Sequence, residues 1–332
     1  MTTNSDESIQ SPMNVGVIGV GSMGRHHARV YSELRGANLV GVTDEDRDAA
    51  REVAEDYGTE ALDFNVLVDQ AEAVSIAVPT AYHYDIAKQS LERGKHILVE
   101  KPFVEEIEKG EELVALADRK ELTIQVGHIE RFNPAIRELD NVIGDEEILA
   151  IDVNRLGPPR DRTIDDSVVL DLMVHDIDII RSLIGQNPNE IQASGTLDNR
   201  YATATLSYDN GPVVSLTASR ITQRKVRNMQ ITTSDRFICV DFTDKSIEIY
   251  RQSVPKYFEE EGDIRYHHEG IIERPMVPNG EPLRLEIKAF LNAISIGEEP
   301  IVTARDGIGA IELARSIDER AKRDAKSEVA TR

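Results

Sequence analysis

The first part of the chain alternates short runs of apolar residues with longer segments that carry apolar residues at helical spacing. The apolar runs are continuous, which is typical of strands that are covered on both faces of a parallel sheet. One helical segment, Tyr84–Arg93, stops before Gly94, a residue type that favours helix C-termini. This alternation predicts an α/β domain. Its predicted strands are Asn14–Ile18, Leu39–Thr43, Ala73–Val78, Ile97–Glu100 and Leu122–Val126.

After about Gly127 the apolar residues alternate with polar ones, which is the pattern of strands with one exposed face. Asp209-Asn210-Gly211 is typical of a hairpin turn, so this part should form a largely antiparallel sheet. We predict helices over Ser167–Ile184, Arg284–Ile296 and Gly307–Arg323, and a long loop over Gln252–Glu281. The predicted strands are Ile148–Arg155, Tyr201–Tyr208, Val213–Ile221, Met229–Thr233, Phe237–Phe242 and Ser246–Tyr250.

Three parts of the chain follow from these patterns. Residues 1–12 are polar and lack the apolar core of a signal peptide, so we expect a disordered tail. Residues 13–127 should form the α/β domain. Residues 128–332 should form an α+β domain for substrate binding and self-association, because a sheet with an uncovered face favours a homo-oligomer such as a dimer or tetramer.

The first predicted strand ends in a glycine pattern, Gly19, Gly21 and Gly24, and the acidic Asp44 ends the second strand. This order of strand, glycine turn, helix, strand and acid is the dinucleotide fingerprint of a Rossmann domain. The free amides of the following helix, at Ser22 and Met23, would hold the phosphates. Asp44 can accept hydrogen bonds from a ribose and would repel a ribose phosphate, so NAD is favoured over NADP.

Composition narrows the partners and the compartment. The net charge of −22 makes non-specific binding to nucleic acid or to an anionic membrane unfavourable, and no apolar stretch approaches the ~20 residues of a membrane span. The single cysteine, Cys239, indicates a reducing compartment, so we expect a cytoplasmic protein. Many acids, few lysines and no tryptophan favour adaptation to a high-salt interior; an ordinary acidic enzyme is the alternative.

Two further segments carry candidate catalytic chemistry. Glu100-Lys101-Pro102 follows the fourth predicted strand, where ligands of parallel sheets bind, so Lys101 should point toward the nicotinamide and a substrate hydroxyl. Asp171 and His175 are four residues apart on an apolar helix and so share one face. Histidine is suited to act as a general base near neutral pH, with Asp171 orienting it. The simpler alternative for Lys101 is a solvated loop lysine. For Asp171 and His175 it is a pair that only stabilises the helix.

Other polar residues are candidates for ligand binding. Pro79, Thr80 and His83 follow the third predicted strand and should face the same crevice. Positive groups are informative in so acidic a chain, because arginine suits bidentate binding of phosphate. The candidates are Arg131, Arg155, Arg160 and Arg162, with a second cluster from Arg220 to Arg227. An ion pair with a nearby acid is the alternative for each. His26 and His27, and His267 and His268, are adjacent pairs whose two side chains do not share a face of a helix or strand, and we predict no metal site.

These motifs together resemble the Gfo/Idh/MocA family of oxidoreductases over nearly the whole chain. The similar segments are G-V-G-S-M-G, A-V-P-T-x-x-H, E-K-P and D-x-x-x-H. V-G-H-I-E-R-F-N-P and V-x-D-L-M-V-H-D-I-D-I are most similar to the UDP-N-acetylglucosamine 3-dehydrogenases of archaeal type. The resemblance implies oxidation of a sugar 3-hydroxyl for glycan assembly. It implies catalytic roles for Lys101, Asp171 and His175, NAD contacts that include Pro79, His83 and Glu100, and a substrate pocket bordered by Arg131 and Asn133.

Other functions remain open from the sequence. The same scaffold could serve another sugar, a polyol such as myo-inositol, or a UDP-sugar acid. An NAD-dependent glycoside hydrolase would oxidise and re-reduce one carbon without net NADH production. A non-catalytic NAD sensor would not need Lys101 and His175 together, so their presence argues against that function.

Overall fold

The computed structural model of the 332-residue chain describes residues 12–159, 167–196, 199–252, 256–260, 263–267 and 269–330. The expected tail therefore lies outside the described residues, apart from Pro12. The described chain divides into two compact units. The first comprises Met1–Phe132 and Gly280–Glu312, and the second comprises Asn133–Asn279 and Leu313–Arg332.

The first unit contains a parallel five-stranded sheet of the predicted kind. Its strand order is β2-β1-β3-β4-β5, so the strand order reverses between β1 and β3, at the point where open α/β sheets bind ligands. Every described residue from Ala73 to Ile76 is buried, as expected for a strand covered on both faces. The strands are β1 (Met13–Ile18), β2 (Ala37–Thr43), β3 (Ala73–Ile76), β4 (His96–Glu100) and β5 (Ile124–Gly127).

Helices join these strands and cover the sheet of the first unit. Gly94 has a φ of +77°, a left-handed conformation that ends the fourth helix as the sequence predicted. Short 3₁₀ turns cover Thr80–Tyr82 and Ile129–Phe132. The helices are α1 (Ser22–Glu33), α2 (Arg47–Tyr57), α3 (Phe64–Gln70), α4 (His83–Glu92) and α5 (Ile107–Lys120).

The second unit contains an eight-stranded sheet in which all neighbours are antiparallel except β6 and β9. Its strands are β6 (Ile148–Leu156), β7 (Glu190–Gly195), β8 (Tyr201–Ser207), β9 (Val213–Ser219), β10 (Val226–Thr233), β11 (Phe237–Asp241), β12 (Ser246–Gln252) and β15 (Gly270–Glu273). Two further strands, β13 (Lys256–Glu260) and β14 (Asp263–His267), form a separate hairpin. The predicted turn at Asp209–Gly211 joins β8 to β9, which pair antiparallel, and Asn210 has a φ of +53°. A predicted Rossmann domain and a largely antiparallel second sheet are thus confirmed.

The prediction of a loop over Gln252–Glu281 was wrong, because β13, β14 and β15 lie within it. β7 was also missed. β15 is an edge strand that pairs only with β12 within the described sheet, and β7 is the other edge. Edge strands are often short and polar, and β7 (E-I-Q-A-S-G) and β15 (G-I-I-E) carry only one and two large apolar residues, which is too weak a signal to predict a strand.

The second unit also contains α6 (Pro134–Arg137), α7 (Leu139–Ile143) and α8 (Val174–Ile184). The predicted helix from Ser167 to Ile184 is present, but Val169–Met173 form a π-helical turn before α8. Such turns are rare and occur often at functional sites.

The chain returns to the first unit near its end. We predicted that residues 128–332 form one domain, yet Gly280–Glu312 pack with the first unit. This segment contains α9 (Pro282–Ile296), whose apolar residues Leu283, Ile287 and Phe290 join the core formed by α1 and the sheet. The long helix α10 (Ala304–Ala330) begins in the first unit and continues in the second from Leu313. No helix in the described ranges is long and apolar enough to cross a membrane.

Candidate functional site

The glycine turn after β1 has the geometry that a pyrophosphate needs. Gly19 has a φ of +88°, and a Cβ there would lie 2.8 Å from the backbone of Ala77. A Cβ on Gly24 would lie 1.8 Å from the carbonyl oxygen of Gly19, so only glycine lets α1 begin so close to the turn. A Cβ on Gly21 would meet no atom within 4 Å. Gly21 therefore borders open space, into which a phosphate can approach the backbone.

The first turn of α1 completes this anion site. Gly21 is the N-cap residue, and the first turn carries no acidic side chain. The first amides of a helix have no partner within the helix, so those of Ser22, Met23 and Gly24 favour a negatively charged group. The geometry of these residues fits the pyrophosphate of NAD, and the predicted contacts stay a prediction.

Asp44 lies directly after β2, beside the glycine turn. Its Oδ2 accepts a hydrogen bond from the backbone nitrogen of Val20 at 2.7 Å, and its Oδ1 accepts one from that of Asp46 at 3.0 Å. A carboxylate has about four acceptor positions, so Asp44 keeps capacity for ribose hydroxyls. The same contacts tie the acid to the loop that holds the phosphates.

The loop after β4 carries Lys101 and is held from two sides. The backbone nitrogen of Lys101 donates to Oε2 of Glu100 at 3.3 Å, and the Lys101–Pro102 peptide bond is cis. His83 Nδ1 lies 2.8 Å from the carbonyl oxygen of Pro102, and its Nε2 lies 2.9 Å from that of Val78. His83 thus links the loop after β3, which contains Pro79 and Thr80, to the Lys101 loop.

In the second unit, Asp171 lies in the π-helical turn and His175 in the first turn of α8. Both side chains are partly exposed. Nη2 of Arg220 donates to Oδ2 of Asp171 at 2.7 Å. The sequence placed Arg220 in a positive cluster but did not predict this partner. The guanidinium fixes the carboxylate and balances its charge.

The structure corrects the expectation for Arg155. We predicted that it binds a substrate phosphate, but it is 1% exposed and forms an ion pair with Asp176, with 2.7 Å between Nη2 and Oδ1. Its guanidinium also stacks on Phe242, 5.5 Å from the ring centre. Its Nε contacts both oxygens of the same carboxylate. Burial against an acid gives Arg155 the alternative role, that of a structural ion pair.

The expectation for Asn133 also needs correction. Asn133 is 3% exposed, its Oδ1 caps α6 through the nitrogen of Ala135, and its Nδ2 donates to the carbonyl of Phe242 at 3.0 Å. The amide is thus engaged in holding α6 and is not presented to a substrate. Arg131, in the first unit, is partly exposed, and its Nη2 lies 3.3 Å from the carbonyl of Ile301. Arg160 and Arg162 lie outside the described residues.

Sequence reasoning missed two residues beside Glu100. Nε2 of His27 lies 3.0 Å from Oε1 of Glu100, and Glu286 from α9 is fully buried in the same cluster. A histidine on the buried face of α1 was a usable signal for the first. The sequence carries no such signal for Glu286, because the residues around it do not indicate that α9 packs against this sheet.

Comparison with known proteins agrees with this geometry. Residues 13–128 match the family described as "Oxidoreductase family, NAD-binding Rossmann fold", and residues 141–239 match the "GFO/IDH/MocA C-terminal domain". The UDP-N-acetylglucosamine 3-dehydrogenase of Acidithiobacillus ferrooxidans is 34% identical over 85% of this chain and 89% of its own length. A solved structure of that enzyme has a TM-score of 0.84 and covers 94% of this chain and 99% of its own.

A second relative acts on a different class of compound by its name. The inositol 2-dehydrogenase of Rhizobium meliloti is 29% identical over 90% of this chain and 94% of its own length. The two relatives share the family and differ in substrate. With the glycine turn, the acid after β2 and both family matches in agreement, the chain belongs to the Gfo/Idh/MocA family of NAD-dependent oxidoreductases.

Proposed function

We propose that this enzyme oxidises the 3-hydroxyl of UDP-N-acetylglucosamine to a 3-keto sugar for nucleotide-sugar and glycan biosynthesis. The observation that supports this substrate is the 34% identity to a UDP-N-acetylglucosamine 3-dehydrogenase over 85% of the chain. Inositol 2-dehydrogenase, at 29% identity, makes a polyol the second candidate substrate. Another sugar or UDP-sugar acid, or NAD-dependent glycoside hydrolysis, remains as an alternative within this scaffold.

The side chains have separate tasks in this reaction. When bound, NAD⁺ supplies the carbon that accepts a hydride from C3 of the sugar. We assign removal of the hydroxyl proton to His175 or Lys101, and orientation of the base and the substrate to Asp171. The ammonium of Lys101 is suited to donate a hydrogen bond to the oxygen that becomes the carbonyl. Cofactor contacts are assigned to the glycine turn, Asp44, Pro79, Thr80, His83 and Glu100.

Substrate binding and assembly follow from the same proposal. Arg131 and Arg160 are assigned to the diphosphate of the sugar nucleotide, since the overall charge of −22 repels that group. We expect a cytoplasmic homo-oligomer, a dimer or a tetramer. Sedimentation equilibrium at high salt measures the subunit number.

An absorbance assay for NADH at high salt tests the proposal. UDP-N-acetylglucosamine, UDP-glucose, its uronic acid and myo-inositol are compared at matched concentrations. The highest kcat/KM is expected for UDP-N-acetylglucosamine, with loss of turnover but near-normal NAD affinity in Lys101→Ala. A higher value for myo-inositol would replace the proposed substrate. Cleavage of a glycoside without net NADH would instead indicate the hydrolase.

A further inference from the structure

A cluster of buried ionisable side chains lies behind Lys101 in the first unit. A ring nitrogen of His27 and one carboxylate oxygen each from Glu100 and Glu286 all lie within 4.8 Å of one another. These residues are 1%, 9% and 0% exposed, respectively. Two carboxyl groups in such a dry place need either a positive charge or a proton between them.

Glu100 uses both of its oxygens. Oε1 lies 3.0 Å from Nε2 of His27, and Oε2 accepts from the backbone nitrogen of Lys101 at 3.3 Å. The other ring nitrogen of His27 lies 3.1 Å from the hydroxyl of Ser75, which in turn lies 2.9 Å from that of Tyr31. Glu100 is therefore fixed by a chain of polar contacts that ends in the core.

Glu286 differs from Glu100 in having no such contacts. Neither of its carboxyl oxygens has a hydrogen-bond partner among the residues that the structure describes. The arginines on the packed faces of α1 and α9, Arg29 and Arg284, pair instead with Glu281 and Glu33 at the surface. Burial, and then the negative charge of Glu100, raise the pKa of Glu286 well above its ordinary value.

We propose that Glu286 and Glu100 share one proton, and that Glu286 is a positioning residue that keeps Glu100 in place beneath Lys101. A proton on Glu286 removes one of the two negative charges that the carboxyl groups would otherwise bring within 4.8 Å of each other, and it gives Glu286 an O–H that can donate. The role in turnover rests on the proposed function of Lys101. The shared proton does not depend on that function.

The surroundings of Glu100 show why a second charge there would disturb Lys101. A Cβ on Gly127 would lie 3.1 Å from Cδ of Glu100 and 3.2 Å from Oε2, so a side chain there would crowd the carboxyl group. Nε2 of Gln125 donates a hydrogen bond to the backbone carbonyl oxygen of Glu286 at 3.1 Å and so holds α9 against β5. With both sides fixed, repulsion would displace Glu100 and, with it, the backbone nitrogen of Lys101.

Stability as a function of pH tests the shared proton without any assay of activity. The titratable groups beside Glu286 include His27 and Tyr31 from α1 and Glu100 from β4, and the buried His128 precedes the 3₁₀ turn that packs on α9. Because the folded chain holds a proton that the unfolded chain releases, wild-type stability should fall as pH rises above the ordinary pKa of 4.5. The side chain of Gln in Glu286→Gln is neutral at every pH. The ratio of the wild-type folding constant to that of Glu286→Gln should therefore fall by up to about tenfold for each unit of rise in pH.

Infrared spectroscopy and metal analysis provide the second readout. The wild-type full chain in D₂O should show the carbonyl band of a protonated carboxylic acid, and Glu286→Gln should lose it. The exposed Glu298 offers a control, and Glu298→Gln should keep both the band and the pH dependence. Absence of the band, or a stability difference that does not change with pH, would overturn the proposal. The proposal would also be overturned if metal analysis found one divalent cation per wild-type chain and none in Glu286→Gln.

Activity tests the positioning role. Glu286→Leu should lower kcat at least tenfold with little change in the KM for NAD, whereas Glu286→Gln, which can still donate to Glu100, should recover most of the loss. The wild-type kcat should also fall at alkaline pH more steeply than that of the Gln variant. Equal kcat in all three proteins would remove the positioning role. Failure of wild type to oxidise any sugar would contradict the proposed function, while the infrared band would still decide the shared proton.

Discussion

Nη2 of Arg220 donates a hydrogen bond to Oδ2 of Asp171 at 2.7 Å, and the side chains of the two residues are 11% and 26% exposed. The pair joins the end of β9 to the π-helical turn that precedes α8. A candidate catalytic carboxylate is therefore fixed by a cation that directly follows a strand of the same unit. This contact makes Arg220 a positioning residue for Asp171.

Replacement of Arg220 should lower turnover. A hydrogen bond between charged groups contributes about 1.5–3 kcal/mol. If that energy is needed in the transition state, kcat of Arg220→Gln should fall about 10- to 100-fold. Arg220→Lys should retain part of the activity, and the exposed Arg323, which belongs to no candidate site, gives the control Arg323→Gln. An unchanged kcat in Arg220→Gln would show that Asp171 needs no such partner.

Asp44 should determine both the affinity for NAD and its preference over NADP. Asp44→Asn keeps an acceptor for the backbone nitrogen of Val20 but loses the charge that repels a ribose phosphate. We expect weaker NAD binding and a smaller preference for NAD, measured by titration of both cofactors. Asp44→Ala should lose more NAD affinity, because the Val20 amide also loses its partner. Glu45→Gln is an exposed control. An unaltered preference in both Asp44 variants would remove the role of this acid.

Two glycines of the same turn should respond differently to alanine. Gly24→Ala places a Cβ 1.8 Å from the Gly19 oxygen, so the variant should be strongly destabilised. Gly21→Ala meets no protein atom within 4 Å, so its melting temperature should change little while its affinity for NAD falls. Calorimetry and cofactor titration separate the two effects. Normal NAD affinity in Gly21→Ala would mean that the pyrophosphate lies elsewhere.

The ion pair of Arg155 and Asp176 should matter for folding more than for substrate affinity. Removing one partner of a buried pair costs about 3–5 kcal/mol. Arg155→Leu should therefore lower the denaturant midpoint, whereas active protein that remains folded should keep its KM for the sugar nucleotide. The exposed pair of Arg51 and Asp48 gives the control Arg51→Leu, with little expected change. Normal stability with a raised KM would restore the predicted phosphate contact.

Salt should stabilise this protein. With 60 acidic and 38 basic residues, the folded chain repels itself at low ionic strength. Screening acts within about 10 Å at 0.1 M salt and about 3 Å at 1 M. The melting temperature should rise with potassium chloride, and sodium chloride should have a similar effect if screening is the cause. A melting temperature that is indifferent to salt would contradict adaptation to a high-salt interior.

The amino-acid sequence alone determined the features that depend on a few neighbouring residues. Backbone sterics require glycine at position 19, where φ is +88°, and a buried strand requires a continuous apolar run such as Ala73–Ile76. The spacing of Asp171 and His175 follows from helix geometry. These local rules predicted the Rossmann domain, the NAD fingerprint and the candidate catalytic residues.

Only the tertiary structure decided which distant residues meet. It paired Arg155 with Asp176 and Arg220 with Asp171, and it returned α9 to the first unit so that Glu286 lies beside Glu100. The physical reason is that a charged side chain in this chain has many possible partners of opposite sign. The choice among them depends on which elements pack together, and that packing is driven by the burial of apolar faces over the whole chain.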